Sequence, residues 1–157
     1  MTPAELRFVE DVGVFLEDLG TSRMTGRVWA TLLLADEPSL TAADLADRLE
    51  VSAGSVSNAT RLLLGLGMIE RRRVPGDRKD HFSVHPDSYI TLVRAREQSI
   101  TRFSDLLAGG LRTVDDGTPA HRRLADFHRF YVWLADRFHH LIDEWQIEES
   151  ARRQDEA

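Results

Sequence analysis

The sequence contains no cysteine, which removes disulfides, thiol catalysis and cysteine-ligated zinc from consideration. It also lacks a long hydrophobic run. The densest apolar stretch, Val28 to Ala35, is far shorter than the roughly 18 residues that a membrane-spanning helix needs. The first residues lack the basic and apolar regions of a signal peptide. We therefore expect a cytoplasmic protein that has no membrane partner.

Positive charge is also scarce, since 20 basic side chains stand against 26 acidic ones, and only one of the 20 is a lysine, Lys79. The basic side chains are unevenly distributed along the sequence. Residues 52–81 carry six basic and three acidic side chains, residues 1–40 carry three and seven, and residues 86–157 carry ten and thirteen. A basic stretch between acidic segments says more about a partner than the net charge of −6 does.

The remaining composition is that of a folded domain. A chain of 157 residues with 42% hydrophobic and 29% charged side chains is typical of one soluble globular domain. Apolar spacing predicts helices over Thr2–Leu19 and Ser22–Ala35. The first helix has two neighbouring apolar stripes, which predicts burial on two sides. These stripes are Phe8, Val12, Phe15 and Leu19, and Val9, Gly13 and Leu16.

The segment from residue 41 to residue 67 predicts a helix-turn-helix. Thr41, assisted by Asp44, caps a short helix, and Ser52 caps a second helix over Ala53–Leu66. The second helix has an apolar face at helical spacing, made by Val56, Ala59, Leu63 and Leu66. Two short helices joined by a tight turn are typical of this motif.

A β-hairpin follows directly. Short strands are predicted over Met68–Val74 and His81–Val84, with turn residues at Pro75-Gly76-Asp77. A hairpin placed immediately after a helix-turn-helix is the wing of a winged helix. The fold class expected is therefore mainly α, a winged helix-turn-helix with a small β-hairpin wing and long N- and C-terminal dimerisation helices.

The C-terminal half predicts two long helices. Pro86 opens the first, which runs to Leu111, and Thr118-Pro119 begin the second, of roughly 30 residues, whose polar end from Glu148 we expect to fray. The last helix carries a heptad seam, made of Leu124, Phe127, Tyr131, Leu134, Phe138, Leu141 and Trp145. We expect this seam to pack against a second copy of the chain. The alternative is that it packs only on the preceding helix, as an intrachain hairpin.

These elements divide the chain into three regions within a single compact domain. Residues 1–20 form an N-terminal dimerisation helix, residues 21–86 the winged helix-turn-helix, and residues 87–157 a C-terminal helical dimerisation region.

This order of elements resembles the MarR superfamily of dimeric winged-helix regulators, and more narrowly its GbsR-type branch. The motifs that carry the resemblance are Gly26-Arg27 with the LLL run that follows, VSAGSVSNATRLL, GMIERRRVPGDRKDHF, and His85-Pro86-Asp87. They cover about residues 5–95, and the C-terminal third matches in architecture only. The resemblance implies a bacterial transcriptional regulator.

The second helix of the motif carries the residue types that read DNA. Asn58 suits a bidentate pair with adenine, and Arg61 suits guanine or a phosphate. They share the outer face with Gly54 and Ser57, whereas Ser52 and Ser55 at the helix start suit phosphate contacts. A purely solvated face is the alternative interpretation of these polar residues, and for Ser52 it is a simple helix cap.

The wing supplies three further candidates. Arg78 and Lys79 lie at the predicted tip, where the negative potential of a minor groove attracts cations. Among Arg71, Arg72 and Arg73, whose side chains alternate between faces of the strand, we place Arg72 first.

We therefore expect a sequence-specific, homodimeric DNA-binding repressor that recognises a palindromic operator in double-stranded DNA. The alternative is a winged-helix module that binds only protein. The resemblance implies release by a small apolar or amphipathic effector, bound between the dimerisation helices and the winged helix. Candidate lining residues are Phe15, Met24, Arg27, Trp29 and Phe82.

No phosphate loop or nucleophile motif is present, so we expect neither an enzyme nor a cofactor. Asp136, His139, His140 and Asp143 share one flank of the last helix at a spacing that can hold a divalent metal. We interpret them as a solvated polar face and predict no metal.

Overall fold

The computed structural model describes residues 1–155, of which most are helical. Two compact units divide the chain, Met1–Thr91 and a second that begins at Leu92. The elements are α1 (Pro3–Asp18), α2 (Arg23–Leu33), β1 (Leu40–Thr41), α3 (Ala42–Leu49), α4 (Ala53–Gly65), β2 (Ile69–Arg72), β3 (His81–Val84), α5 (Ser88–Leu111) and α6 (Pro119–Asp155). None of the helices among the described residues is long and apolar enough to cross a membrane.

Helices α1 and α2 meet at two glycines. A Cβ atom placed on Gly26 would lie 2.6 Å from the carbonyl oxygen of Val12 and 2.7 Å from the Cα of Gly13. Only glycine fits at such a contact, because both opposing atoms belong to the backbone. The two helices are also joined by Glu10, whose carboxylate lies 2.8 Å from the guanidinium groups of both Arg23 and Arg27.

The two stripes of α1 have different environments. Val9, Gly13 and Leu16 are buried. In the other stripe, Phe15 is 61% exposed and Leu19 65% exposed. The sequence predicted burial on both sides, and within one chain only one side is covered.

The helix-turn-helix is built as its caps predict. Thr41 and Asp44 form a capping box at the start of α3, in which Asp44 Oδ2 accepts the backbone N–H of Thr41 at 2.8 Å. Glu50 then adopts a left-handed backbone, with φ of 53°, and turns the chain towards α4. Leu66 is a correction: it was expected to face inward, but α4 ends at Gly65, Met68 is buried there, and Leu66 is 38% exposed.

The sheet has three antiparallel strands in the order β1-β3-β2, one more than the sequence predicted. The additional strand, β1, pairs Leu40 with Phe82 and Thr41 with His81. Strand β2 is shorter than the predicted Met68–Val74, and residues 73–80 form the connection to β3. The hairpin itself is therefore present, and β1 joins the start of β3 to the helix-turn-helix.

In the C-terminal half, the start of α5 and the end of α6 differ from the predicted positions. Helix α5 begins at Ser88 rather than at Pro86, because Pro86 and Asp87 form a turn in which Ser88 N–H donates to the His85 carbonyl. Helix α6 has 37 residues, roughly 55 Å, and continues through the polar segment expected to fray. There Arg152 and Arg153 donate to Glu149 and lower the pKa of its carboxyl to about 2. Residues 156 and 157 of that segment lie outside the described residues.

Within the second unit, α5 and α6 run antiparallel. Phe103 packs edge-on against Tyr131 with ring centroids 4.7 Å apart, and Arg94 donates to Gln146 at 2.8 Å. The residues of the heptad seam fall into two groups by their exposure on this helix pair. Leu124, Tyr131, Leu134 and Phe138 are half-buried, whereas Phe127, Leu141 and Trp145 remain exposed. We call these three side chains, together with the exposed Phe130, the α6 strip.

Candidate nucleic-acid interface

Helix α4 presents a mainly polar outer face because most of its apolar residues turn inward, although Leu62 is 41% exposed. Val56, Ala59, Thr60 and Leu63 are buried, and the Thr60 hydroxyl donates to the Val56 carbonyl at 2.9 Å. Ser52 is the cap of this helix, since its Oγ accepts the backbone N–H of Ser55 at 3.2 Å. Ser52 is exposed and Ser55 half-buried, so both lie at the open N-terminus, where helix N–H groups attract anions.

The outer face of α4 carries the four predicted readers. Gly54, Ser57, Asn58 and Arg61 are all exposed, and Arg61 Nη1 donates to Asn58 Oδ1 at 3.4 Å. A Cβ on Gly54 would meet no protein atom closer than Ser52 Oγ at 3.9 Å. Packing inside the chain therefore does not require glycine at this position, and its small size leaves space for an external partner.

The wing carries most of its charge in internal pairs. Glu70 accepts from Arg72 Nε at 2.8 Å and from Ser83 Oγ at 3.2 Å, and the hydrogen bond from Arg72 is the main cause that lowers the Glu70 pKa. Asp80 lies 3.3 Å from the guanidinium of Arg71. Two of the three consecutive arginines are thus neutralised within the wing.

The unpaired cations of the wing only partly match the predicted candidates. Arg72, placed first by the sequence, is exposed but bound to Glu70, whereas Arg73 and Arg78 form no ion pair within the described part of the chain. Sequence reasoning therefore missed Arg73 as a candidate. The signal was available, because residues 70 and 72 lie on the same face of a strand and a Glu there is placed to neutralise Arg72.

The wing tip is a turn closed by Asp77. Its carboxylate accepts the backbone N–H of Lys79 at 2.9 Å and the Nε2 of His81 at 2.9 Å, and these two bonds, in that order, lower the Asp77 pKa. Arg78 and Lys79 are fully on the surface of this turn. Hydrogen bonds from Thr41 are the main cause that lowers the pKa of the Asp44 carboxyl in α3, and the charge of Lys79 lowers it further.

The five candidate effector residues have different environments. Arg27 is engaged with Glu10, and its Nη2 also donates to the Leu49 carbonyl at 3.3 Å, so its charge already has partners. Phe82 is 5% exposed in the sheet, Phe15 lies on the exposed stripe of α1, and Met24 and Trp29 are half-buried in α2. No described contact joins the five into one cavity lining, so an effector site at these residues stays a prediction.

The histidine and aspartate residues of α6 form separate pairs. His139 lies between Glu97 of α5, at 3.0 Å, and Asp143, at 3.4 Å, whereas His140 lies 3.5 Å from Asp136. In residues 1–155, no three side chains of metal-ligating type are arranged so that they could hold a metal ion.

Comparisons with known proteins give one consistent family. Residues 24–80 match the model of the MarR family, and residues 87–149 match that of MmpR5-like MarR family transcriptional regulators. The chain is 33% identical to the HTH-type transcriptional regulator MmpR5 of Mycobacterium tuberculosis (strain ATCC 25618 / H37Rv) over 133 residues, which cover 84% of this chain and 81% of that protein. The crystal structure of a transcriptional regulator superposes with a TM-score of 0.75 at 29% identity, covering 92% of this chain and 99% of that one. These relatives are transcriptional regulators and not enzymes.

Proposed function

Because the chain belongs to the MarR family of transcriptional regulators, we propose that it is a sequence-specific, homodimeric DNA-binding repressor. The observation that carries the proposal is the exposed outer face of α4, with Asn58 and Arg61 beside a basic wing. Small and neutral side chains next to one cation are what a helix needs to enter a major groove closely.

Each group then has a distinct task. Asn58 reads adenine through its amide, and Arg61 reads guanine with its planar guanidinium. Ser52 and Ser55 bind phosphates at the N-terminus of α4 and fix its register on the duplex. Arg78 and Lys79 bring the wing to the minor groove, and Arg73 adds a cation where the chain leaves β2.

The dimer is supported by apolar surface that one chain leaves uncovered. Phe127, Leu141 and Trp145 of α6 are between 44% and 60% exposed, and Phe15 and Leu19 of α1 are more exposed still. Contiguous apolar patches of this kind mark association sites, and a second copy supplies a self-complementary partner. Two-fold symmetry then predicts a palindromic operator with half-sites roughly 34–36 Å apart.

Two finer aspects belong to the same proposal. We place the protein in the GbsR-like branch on the motifs around Gly26-Arg27 and the wing, and in the cytoplasm, where its operator is. Release by a small apolar or amphipathic effector requires that the ligand bind one arrangement of the dimer better than the other. Since Arg27 is already paired, an anionic group on the effector would compete with the Glu10 carboxylate for this guanidinium.

The test uses the DNA upstream of the protein's own gene and its neighbours. Specific binding should survive an excess of random duplex and weaken steeply as salt rises. A reporter driven by this DNA should become less active when the protein is present. The Arg61→Ala variant should lose about 10- to 100-fold in affinity and its preference at one base position.

A matched control is Arg129→Ala, which removes an arginine that is paired with Asp126 on α6, outside the winged helix. Its affinity for the operator should stay unchanged. Failure of the wild-type dimer to bind any duplex at low salt would favour a module that binds only protein, and would overturn the proposal.

A further inference from the structure

One side chain connects the wing tip to the body of the winged helix. His81 begins β3, and its imidazole is 14% exposed. Its Nε2 lies 2.9 Å from Asp77 Oδ2 in the tip, and its Nδ1 lies 3.4 Å from Ser39 Oγ, in the segment that leads into β1. Both ring nitrogens therefore have a partner, one in the loop of the hairpin and one outside the hairpin.

The backbone of His81 is also fixed, because it pairs with a strand on each side. It pairs with Thr41 of β1 on one side and with Arg72 of β2 on the other, at the centre of the three-stranded sheet. A side chain anchored at that point gives Asp77 a fixed partner. Asp77 in turn accepts the Lys79 N–H at 2.9 Å and closes the turn that carries Arg78.

We propose that His81 is a positioning residue of the DNA-binding wing, which through Asp77 holds the turn that presents Arg78 and Lys79 to the duplex. The inference rests on the proposed function, because it assumes that the wing contacts DNA. Its physical basis is preorganisation: a tip that is already ordered loses less conformational entropy when it binds.

A second consequence concerns charge. The bond to His81 holds the Asp77 carboxylate against the start of β3. Released from it, this carboxylate next to Arg78 would be able to approach the phosphates, which repel it. Asp80 gives a contrast in the same tip, because its carboxylate binds Arg71 on the neighbouring strand and not the turn itself.

The test compares two conservative variants of the full-length protein. In His81→Gln, the amide nitrogen reaches about as far as Nε2 and can still donate to Asp77. In His81→Asn, the amide reaches only as far as Nδ1, so the contact with Ser39 is kept and the bond to Asp77 is lost. The pair separates the positioning role from the mere presence of a polar side chain.

Binding is measured by fluorescence anisotropy with a random-sequence duplex of about 30 base pairs, because phosphate contacts do not depend on sequence. His81→Asn should weaken binding about tenfold and reduce the salt slope by about 0.9 for each lost phosphate contact. His81→Gln should stay within about twofold of wild type. Arg78→Ala should cost about tenfold in the wild type and less than about twofold in the His81→Asn background, since coupled residues are not additive.

An independent measurement does not require DNA. Hydrogen exchange of the Lys79 amide, which donates to Asp77, should accelerate in His81→Asn and stay slow in His81→Gln. If the wild type binds duplex but His81→Asn keeps its salt slope and its protected amide, the positioning role is wrong and the proposed function stands. Equal losses of binding and thermal stability in both variants would make His81 a general requirement of the fold and overturn the inference. No binding by the wild type overturns both.

Discussion

The two compact units of this chain bury their apolar residues very differently. In the unit Met1–Thr91, several large side chains are at most 1% exposed, among them Val9, Leu45 and Leu63. In the described part of the second unit, the best-covered apolar residue is Ile142, which is 2% exposed, while Phe127, Leu141 and Trp145 are largely exposed. The first unit thus has a complete hydrophobic core of its own, whereas the second leaves much of its apolar surface exposed.

The difference follows from the number of layers. The first unit packs five helices or parts of helices against each other and a small sheet, so most of its apolar faces have a neighbour, with the exposed stripe of α1 as the exception. The second consists of one antiparallel helix pair, and each helix of a pair can cover only one face of the other. The α6 strip is the face that remains, and a second copy of the chain is the partner we propose for it.

The largest effect is expected from Leu141→Glu in the α6 strip. In a two-fold dimer each substitution is made twice, so the lost burial and the added charge should cost about 4 kcal/mol, or about 1,000-fold in the dissociation constant. Sedimentation at micromolar concentration should then give the mass of one chain. The control is Val132→Glu, which is nine residues, about two and a half turns, away on the opposite side of α6 and is 48% exposed. A dimer that tolerates Leu141→Glu would show that the strip is not the interface.

The second largest effect is expected from a substitution at the close contact between α1 and α2 in the first unit. Gly26→Ala places a Cβ atom 2.6 Å from the Val12 carbonyl oxygen, and the backbone must move. We expect a loss of about 3 kcal/mol in the free energy of unfolding, measured by urea titration. Gly65→Ala at the end of α4 is the matched change, because no atom lies within 4 Å of its Cβ, and it should be neutral or slightly stabilising. Similar losses in both variants would contradict the close crossing of α1 and α2.

The smallest of the three effects compares two arginines that share Glu10. Arg27 is 20% exposed and also donates to the Leu49 carbonyl, whereas Arg23 is 49% exposed. Arg27→Met should therefore destabilise the protein by about 2 kcal/mol, the scale of a partly buried hydrogen bond to a charged group. Arg23→Met should cost less than about 0.5 kcal/mol, as exposed ion pairs do. Thermal or urea unfolding decides the order, and the reverse order would remove Arg27 as the link between α1 and the end of α3.

The sequence predicted the helices best where a capping residue marks a start. Thr41, Ser52 and Thr118 each accept a backbone N–H two or three residues into a helix, as their residue types indicate. Strand β1 could not be predicted in the same way. Its two residues, Leu40 and Thr41, have no periodicity, and only their pairing with β3 makes them a strand.

The end of α6 was missed for a related reason. Without apolar periodicity, a polar segment was expected to fray, but Glu149 forms ion pairs at i,i+3 and i,i+4 with two arginines, and such pairs favour the helix. The spacing of charged residues could have predicted that the helix continues here, but the prediction used apolar residues only.

For the candidate interface, the outer face of α4 follows from spacing alone, because a helix that buries Val56 and Leu63 must expose Ser57 and Arg61. The wing does not follow from spacing. Which of Arg71, Arg72 and Arg73 is free depends on Glu70 and Asp80, and the contact of His81 with Ser39 joins residues 42 positions apart. Alternation along a strand predicts which face of the sheet a side chain lies on, but it does not predict which residue that side chain contacts.

The single lysine has a practical consequence. Lys79 lies exposed at the wing tip, and the remaining basic side chains are arginines. Amine-reactive labels therefore modify this tip and the N-terminal amine, so a dye or cross-linker can be directed to the wing without any mutagenesis. Protection of Lys79 from acylation by added duplex would give a footprint of the wing from the protein's side. Formaldehyde capture of this protein on chromosomes would depend heavily on one amine.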